Sequence, residues 1–144
     1  MELSGKNVMV TGGAGFVGSH VVDKLASLGC NVLVYDNLST GQLQFLRDSR
    51  NKIRFVNADL LDFSSLLKNM KDIDFVFHMA AHADIKGNLT QPVKCLEQNT
   101  VATSNVLEAM RANNVAAIAF PSTGSVYGEP SIHPTPVDAP FPVQ

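Results

Sequence analysis

Residues 8–25 read VMVTGGAGFVGSHVVDKL. A short apolar run is followed by four glycines within seven residues, Gly12, Gly13, Gly15 and Gly18. A segment with helical spacing comes directly after them. The order predicts a buried strand, a tight turn and the start of a helix. Gly13, Gly15 and Gly18 satisfy Gly-x-Gly-x-x-Gly, and Gly12, Gly15 and Gly18 satisfy the variant Gly-x-x-Gly-x-x-Gly. In such a turn the missing side chains let backbone N–H groups approach a pyrophosphate, whose charge the helix N-terminus favours. Gly18 would let the helix pack closely on the sheet. No Gly-Lys-Ser/Thr follows, so a P-loop is excluded. A purely structural turn is the competing reading.

The next apolar run, NVLVY at 31–35, ends on Asp36, 18 positions beyond Gly18. A carboxylate there can accept hydrogen bonds from an adenosine ribose diol and would repel a 2′-phosphate. The pair of features therefore predicts NAD rather than NADP.

Outward from this unit the chain alternates short apolar runs with amphipathic segments. The spacing predicts strands at 6–11, 31–35, 53–57, 74–78 and 115–121. It predicts helices at 16–28, ended by Gly29, at 62–70, capped by Asp62 or Ser64, and from Pro92 to about Asn113. A short helix is expected near 42–47 and a loop at 85–91. The expected inward face of the first helix is Val17, Val21, Val22, Leu25 and Leu28. For the last helix it is Val93, Leu96, Val101, Val106, Leu107 and Met110. Alternating strands and helices imply right-handed crossovers. The expected fold is α/β, a Rossmann-type doubly wound parallel sheet of about five strands in the order 3-2-1-4-5. Residues 1–128 would form the dinucleotide-binding domain. Four of the chain's seven prolines lie within its last 11 residues, so 129–144 reads as a Pro-rich tail.

Composition sets the limits. The chain has 144 residues, 45% hydrophobic and 17% charged, which suits one globular domain with a real core. A net charge of -2 without basic runs argues against a nucleic-acid partner. No apolar stretch is long enough to span a membrane, and the first residues do not read as a signal peptide. Cys30 and Cys95 lie at no metal-ligand spacing. They read as two reduced, buried thiols of a cytoplasmic protein, and no metal site is expected.

Several ordered motifs together resemble the extended short-chain dehydrogenase/reductases, in particular nucleotide-sugar epimerases and dehydratases of the UDP-glucose 4-epimerase type. They are Thr11 to Gly18 (TGGAGFVG), Tyr35 to Gly41 (YDNLSTG), Ala58-Asp59-Leu60, His78 to Asp84 (HMAAHAD), Asn99, and Ser122 to Gly128 (STGSVYG). The resemblance implies NAD as cofactor and a UDP-sugar as substrate. It assigns backbone contacts with the pyrophosphate to Phe16 and Val17. Asp36 and Asn37 would hold the adenosine ribose, with Ser39 and Thr40 nearby. Asp59 and Leu60 would flank the adenine, Asp59 accepting from its amino group. Met79, Ala80 and Ala81 would line the dinucleotide, with Asn99 beneath them bridging backbone and water. Ser122 would lie near the nicotinamide, and Thr123 would be the catalytic hydroxyl that binds the reacting sugar oxygen. Plainer readings stand beside these: a helix cap for Asp59, a helix-face residue for Asn99, a packed core histidine for His78 and a structural role for Tyr127. His82 is expected at the solvent edge.

The family's working acid/base is a tyrosine in a Tyr-x-x-x-Lys pair. The phenolate takes the sugar hydroxyl proton while hydride passes to NAD. The lysine, on the same helical face, lowers the tyrosine pKa. This chain has two tyrosines, Tyr35 and Tyr127, and neither has lysine four residues on; residue 131 is Ser. The expectation is therefore the N-terminal, NAD-binding portion of a longer enzyme, truncated before that helix and inactive alone. Dehydratases of the family carry an Asp-Glu pair where this chain has Ser122-Thr123, which favours epimerase. A dehydratase or decarboxylase, a non-catalytic NAD-binding module and a purely structural role are the alternatives. Self-association, as a dimer, is expected through the long helix or through an edge strand left at 115–121.

Overall fold

The computed structural model describes residues 2–84 and 89–141. Five parallel strands form one sheet: β1 (Asn7–Thr11), β2 (Asn31–Asp36), β3 (Ile53–Asn57), β4 (Phe75–His78) and β5 (Ala117–Ala119). Their order is β3-β2-β1-β4-β5, as the alternation of runs implies. The register sets Thr11 beside Tyr35 on one side and beside His78 on the other. Strand order reverses at β1, so a crevice is expected outside the carboxyl ends of the strands at this switch point.

Side-chain alternation divides the core between the two faces of the sheet. Val8, Val10, Val32 and Val34 face one way, against Val22 and Leu25 of α1 (Phe16–Ser27) and Leu46 of a 3-10 turn, Leu43–Leu46. Met9, Leu33, Tyr35 and Val76 face the other way, against Leu66 of α2 (Phe63–Asn69) and Val106, Ala109 and Met110 of α4 (Ala102–Ala112). Asp62 caps α2, its carboxylate accepting from Ser65 N at 3.0 Å. Gly29 follows α1 at φ +79°. A second 3-10 turn, Arg50–Lys52, has no counterpart in the sequence reading.

Several expectations about the elements need correction. The 115–121 strand is only Ala117–Ala119. Val115 N is engaged in closing α4, donating to Met110 O at 3.0 Å, and β5 pairs with β4 alone among the described strands. The helix from Pro92 is not one regular helix. It runs as α3 (Pro92–Cys95), a π-helical stretch Leu96–Val101, and then α4. A π turn adds a residue to the helical repeat, so the helix faces on its two sides are rotated by about 100° relative to each other. Val106 and Met110 are buried as expected, but Val93, Leu96, Val101 and Leu107 are exposed. On α1, likewise, Val22 and Leu25 are buried while Val17 and Leu28 are exposed.

Of the expected 85–91 loop, residues 85–88 lie outside the described residues, and Leu89 and Thr90 are helical. Residues 129–141 carry no strand or helix. Cys30 is buried but Cys95 only half-buried, and both are free thiols. Among the described residues no helix is long and apolar enough to cross a membrane.

Candidate dinucleotide site

The glycines do different jobs. Gly12 has φ +65°, and a Cβ there would lie 2.6 Å from the Ala80 backbone. It therefore lets the ends of β1 and β4 touch, and Gly12 N donates to Tyr35 O at 2.9 Å to join β2 as well. Gly18 packs against the turn itself, where a Cβ would fall 2.1 Å from Gly12 O, rather than on the sheet as the sequence suggests. Gly15 is the N-cap of α1 and lines a pocket at the crevice. A Cβ on Gly15 would meet only Gly12 O, at 3.2 Å, so a side chain there would stand in the space a ligand needs.

The pocket is walled by Gly12, Gly15, Asp36, Asn37, Ser39, Thr40, Asp59, Leu60, Met79, Ala80 and Ala81, all of them expected from the sequence. Asp36 is buried, its carboxylate accepting from Ala14 N at 2.9 Å and Leu38 N at 2.8 Å. The first bond ties the Asp36 carboxylate to the glycine turn and the second fixes it against the loop after β2, and each oxygen keeps a second lone pair. Leu38 takes φ +57°, held by that bond and by partial burial against the core. Asn37 Oδ1 accepts from Ser39 N at 3.0 Å, and its Nδ2 donates to Asp59 Oδ2 at 2.8 Å. Burial raises the Asp59 pKa, but hydrogen bonds from Leu61 N, Asn37 and Gln98 outweigh it and hold the carboxyl below its ordinary value.

Asn99 does not line the pocket. Its Oδ1 accepts from His82 N at 2.8 Å and its Nδ2 donates to His82 O at 3.1 Å, so it fastens the loop after β4 from below. Phe16 and Val17 turn their side chains to solvent, which leaves their position at the helix N-terminus as what they can offer an anion. Ser122 and Thr123 are not brought to this pocket. They line a separate open cleft with Tyr127 and Phe141, and Thr123 Oγ1 accepts from Ser125 N at 3.2 Å. Tyr127 packs on Phe141 with ring centroids 5.3 Å apart. His78 is a core histidine, 1% exposed, and His82 is half-buried at the pocket wall.

Sequence reasoning missed Tyr35, Gly41, Ala58, Lys94 and Gln98 as lining residues. Lys94 and Gln98 are four residues apart, the spacing of one helical face, and that is the signal that could have found them.

A glycine turn that leaves room for phosphate, an acidic residue at the end of the second strand and a polar recess beyond it define a Rossmann dinucleotide-binding unit. NAD fits these residues: small residues at the turn and carboxylates beyond it. Residues 8–143 match the family described as NAD dependent epimerase/dehydratase. The chain belongs to that family, whose cofactor is NAD. It is 38% identical over 137 residues to a UDP-glucose 4-epimerase of Mycolicibacterium smegmatis, covering 92% of this chain and 44% of that protein. It is 35% identical over 133 residues to UDP-glucuronic acid decarboxylase 1 of Danio rerio, covering 92% and 31%. The crystal structure of UDP-glucose-4-epimerase from Stenotrophomonas maltophila, with bound NAD and formylated UDP-arabinopyranose, superposes with TM-score 0.85 at 30% identity, covering 96% of this chain and 43% of that one. The chain thus spans less than half the length of these relatives.

Proposed function

We propose that this chain is the NAD-binding portion of a nucleotide-sugar epimerase of the UDP-glucose/UDP-galactose type. The observation that carries the reading is the buried Asp36 carboxylate, tied to the glycine turn by Ala14 N–H and held in place by Leu38 N–H of its own loop. It sets a ribose-binding acceptor at fixed reach from a phosphate-binding helix start. When bound, NAD supplies a hydride acceptor. Phe16 and Val17 contribute at the pyrophosphate, Asp36, Asn37, Ser39 and Thr40 at the ribose, Asp59 and Leu60 at the base, and Met79, Ala80 and Ala81 along the dinucleotide. Ser122 serves beside the nicotinamide. Thr123 orients the sugar oxygen of a UDP-sugar; its hydroxyl can hydrogen-bond but cannot replace a phenolate as base. Ser122-Thr123 without adjacent carboxylates supports epimerase over dehydratase. The decarboxylase relative keeps that neighbouring chemistry as the second reading.

The expected result for the 144-residue chain is calorimetric binding of NAD with none of NADP, and no interconversion of UDP-glucose and UDP-galactose. Equal binding of NADP would sink the role of Asp36. Turnover by this chain would sink its catalytic incompleteness.

Homodimerisation is part of the proposal. Leu96, Val101 and Leu107 are exposed on and before α4, and β5 is an open edge among the described strands. Apolar side chains on an unpaired helix favour a second copy. Sedimentation velocity is expected to show a species heavier than the monomer that dissociates on dilution; a monomer at every concentration would refute it. The same reading places the chain in the cytoplasm, a setting that suits its two free thiols.

A further inference from the structure

The two faces of the sheet are unequally covered. Both α2 and α4 lie against Met9, Leu33 and Val76. On the other face, α1 and the 3-10 turn at Leu46 supply all the helical side chains of the core among the described residues. They cover β1 and β2, whereas Phe75 and Phe77 of β4 reach the same cluster only partly buried. A groove therefore runs between α1 and β4, lined by Phe16, Val17, Val21, Leu25, Leu28 and Phe77. Its floor is core, since Leu25 is 3% exposed and Phe77 packs in the same cluster. Its rim is bare: Phe16 is 71% exposed, Val17 59% and Leu28 43%. Parallel sheets carry cover on both faces, so a core open along one helix is a seat for a further element.

We propose that this groove seats an amphipathic helix from the part of the enzyme that the chain does not span, and that seating it strengthens NAD binding; this rests on the reading of the chain as the NAD-binding portion of a longer epimerase. The chain covers 44% of the Mycolicibacterium smegmatis relative, so more than half of such an enzyme is available to supply the helix. Length fits: α1 has 12 residues, about 18 Å, which three to four turns of a second helix match. Charge narrows the occupant. Lys24 lines the groove and has no acidic partner among the described residues. Pairing this face with a second copy brings another lysine and no carboxylate to it. The seated helix is therefore expected to carry an acidic residue beside its apolar stripe. Phe16 and Val17 connect the groove to the cofactor. Their side chains form one end of the groove, and they are the first two residues of α1, the helix start proposed to meet the pyrophosphate. A helix packed on those side chains holds that first turn in place. Whatever docking adds to NAD affinity, NAD adds to docking.

The test titrates overlapping synthetic peptides, spanning the part of the Mycolicibacterium smegmatis epimerase outside the match, into the fluorescently labelled 144-residue chain. Peptides from one amphipathic segment with an acidic residue are expected to bind. Leu28→Glu should weaken that binding about tenfold or more, the effect of losing one buried leucine. Lys24→Glu should weaken it as well. Leu43→Glu, exposed on the 3-10 turn outside the groove, should leave it unchanged. The bound peptide should tighten NAD about fivefold. Two groove variants guard against one that fails to fold, and far-ultraviolet circular dichroism reports folding. No peptide bound by the wild type overturns the proposal, and so does binding that both folded groove variants keep. If Leu28→Glu instead abolishes self-association of the chain, a second copy occupies the groove and the proposal falls. A seated peptide that leaves NAD affinity unchanged overturns the link to the cofactor. NAD that binds neither with nor without the peptide refutes the NAD reading and the link with it, while peptide binding still decides the occupant.

Discussion

Gly18→Ala is expected to destabilise the chain by about 3 kcal/mol or more and to abolish NAD binding. The added methyl would lie 2.1 Å from Gly12 O and 2.8 Å from Gly13 Cα. Both obstacles are backbone, so no rotamer change relieves them. The turn can escape only by moving away from α1. Gly12 is itself wedged against Ala80, and its N–H is bonded to Tyr35 O. Movement would therefore break contacts among β1, β2 and β4 at once. Overpacking a core commonly costs about 1–3 kcal/mol when side chains can yield, and this site has none that can. Gly124→Ala is the control: nothing lies within 4 Å of its Cβ, and its change should stay within about 0.5 kcal/mol. Urea unfolding of the two variants and the wild type reads the difference. A Gly18→Ala protein with wild-type midpoint and NAD affinity would show that the turn is not held as described.

Sheet order, strand count and most of the pocket were legible in the sequence because each rests on a local pattern. The apolar runs are short and separated by helical spacing, which leaves few topologies. The glycines and Asp36 mark strand ends, where open α/β sheets bind ligands. The features that stayed hidden depend on contacts distant in the chain. Nothing in LEQNTV at 96–101 announces a π turn, and that turn spoils the 3.6-residue reading of Val93 and Leu96. It also gives Gln98 and Asn99 their separate targets. The direction Asp59 faces could not be foreseen, because its partners come from 22 and 39 residues away. The short β5 is explained by Val115 being drawn into the end of α4.

His78 shows the same dependence, and it yields the second large effect. The ring is buried between the core and Phe120, stacked at 5.7 Å. Its Nδ1 lies 2.6 Å from Thr11 Oγ1 and its Nε2 2.9 Å from Thr103 Oγ1. Thr11 Oγ1 also accepts from Ala80 N at 3.4 Å, which ties this chain of bonds to the pocket wall. A neutral ring has one donor and one acceptor, and Thr11 can give its proton to Nδ1 while accepting from Ala80. Protonating the ring turns Nδ1 into a donor, and the Thr11 proton then loses its acceptor. Burial accordingly pushes the His78 pKa down. The unfolded chain, with an ordinary value of about 6.5, binds the proton first as pH falls. The stability that depends on neutral His78 is thus complete above about pH 6.5 and is lost as pH falls through the lower, folded value. His78→Leu removes this dependence and leaves the buried Thr11 hydroxyl without its partner, at a cost of about 1–3 kcal/mol at about pH 7.5. The check is the urea midpoint against pH for wild type and variant. The wild-type curve should fall between about pH 6.5 and the acid limb, and the variant should be lower at neutral pH and flatter across that window. A variant as stable as the wild type near neutral pH, with the same slope in the acid window, would place the titrating group elsewhere and leave His78 as packing alone.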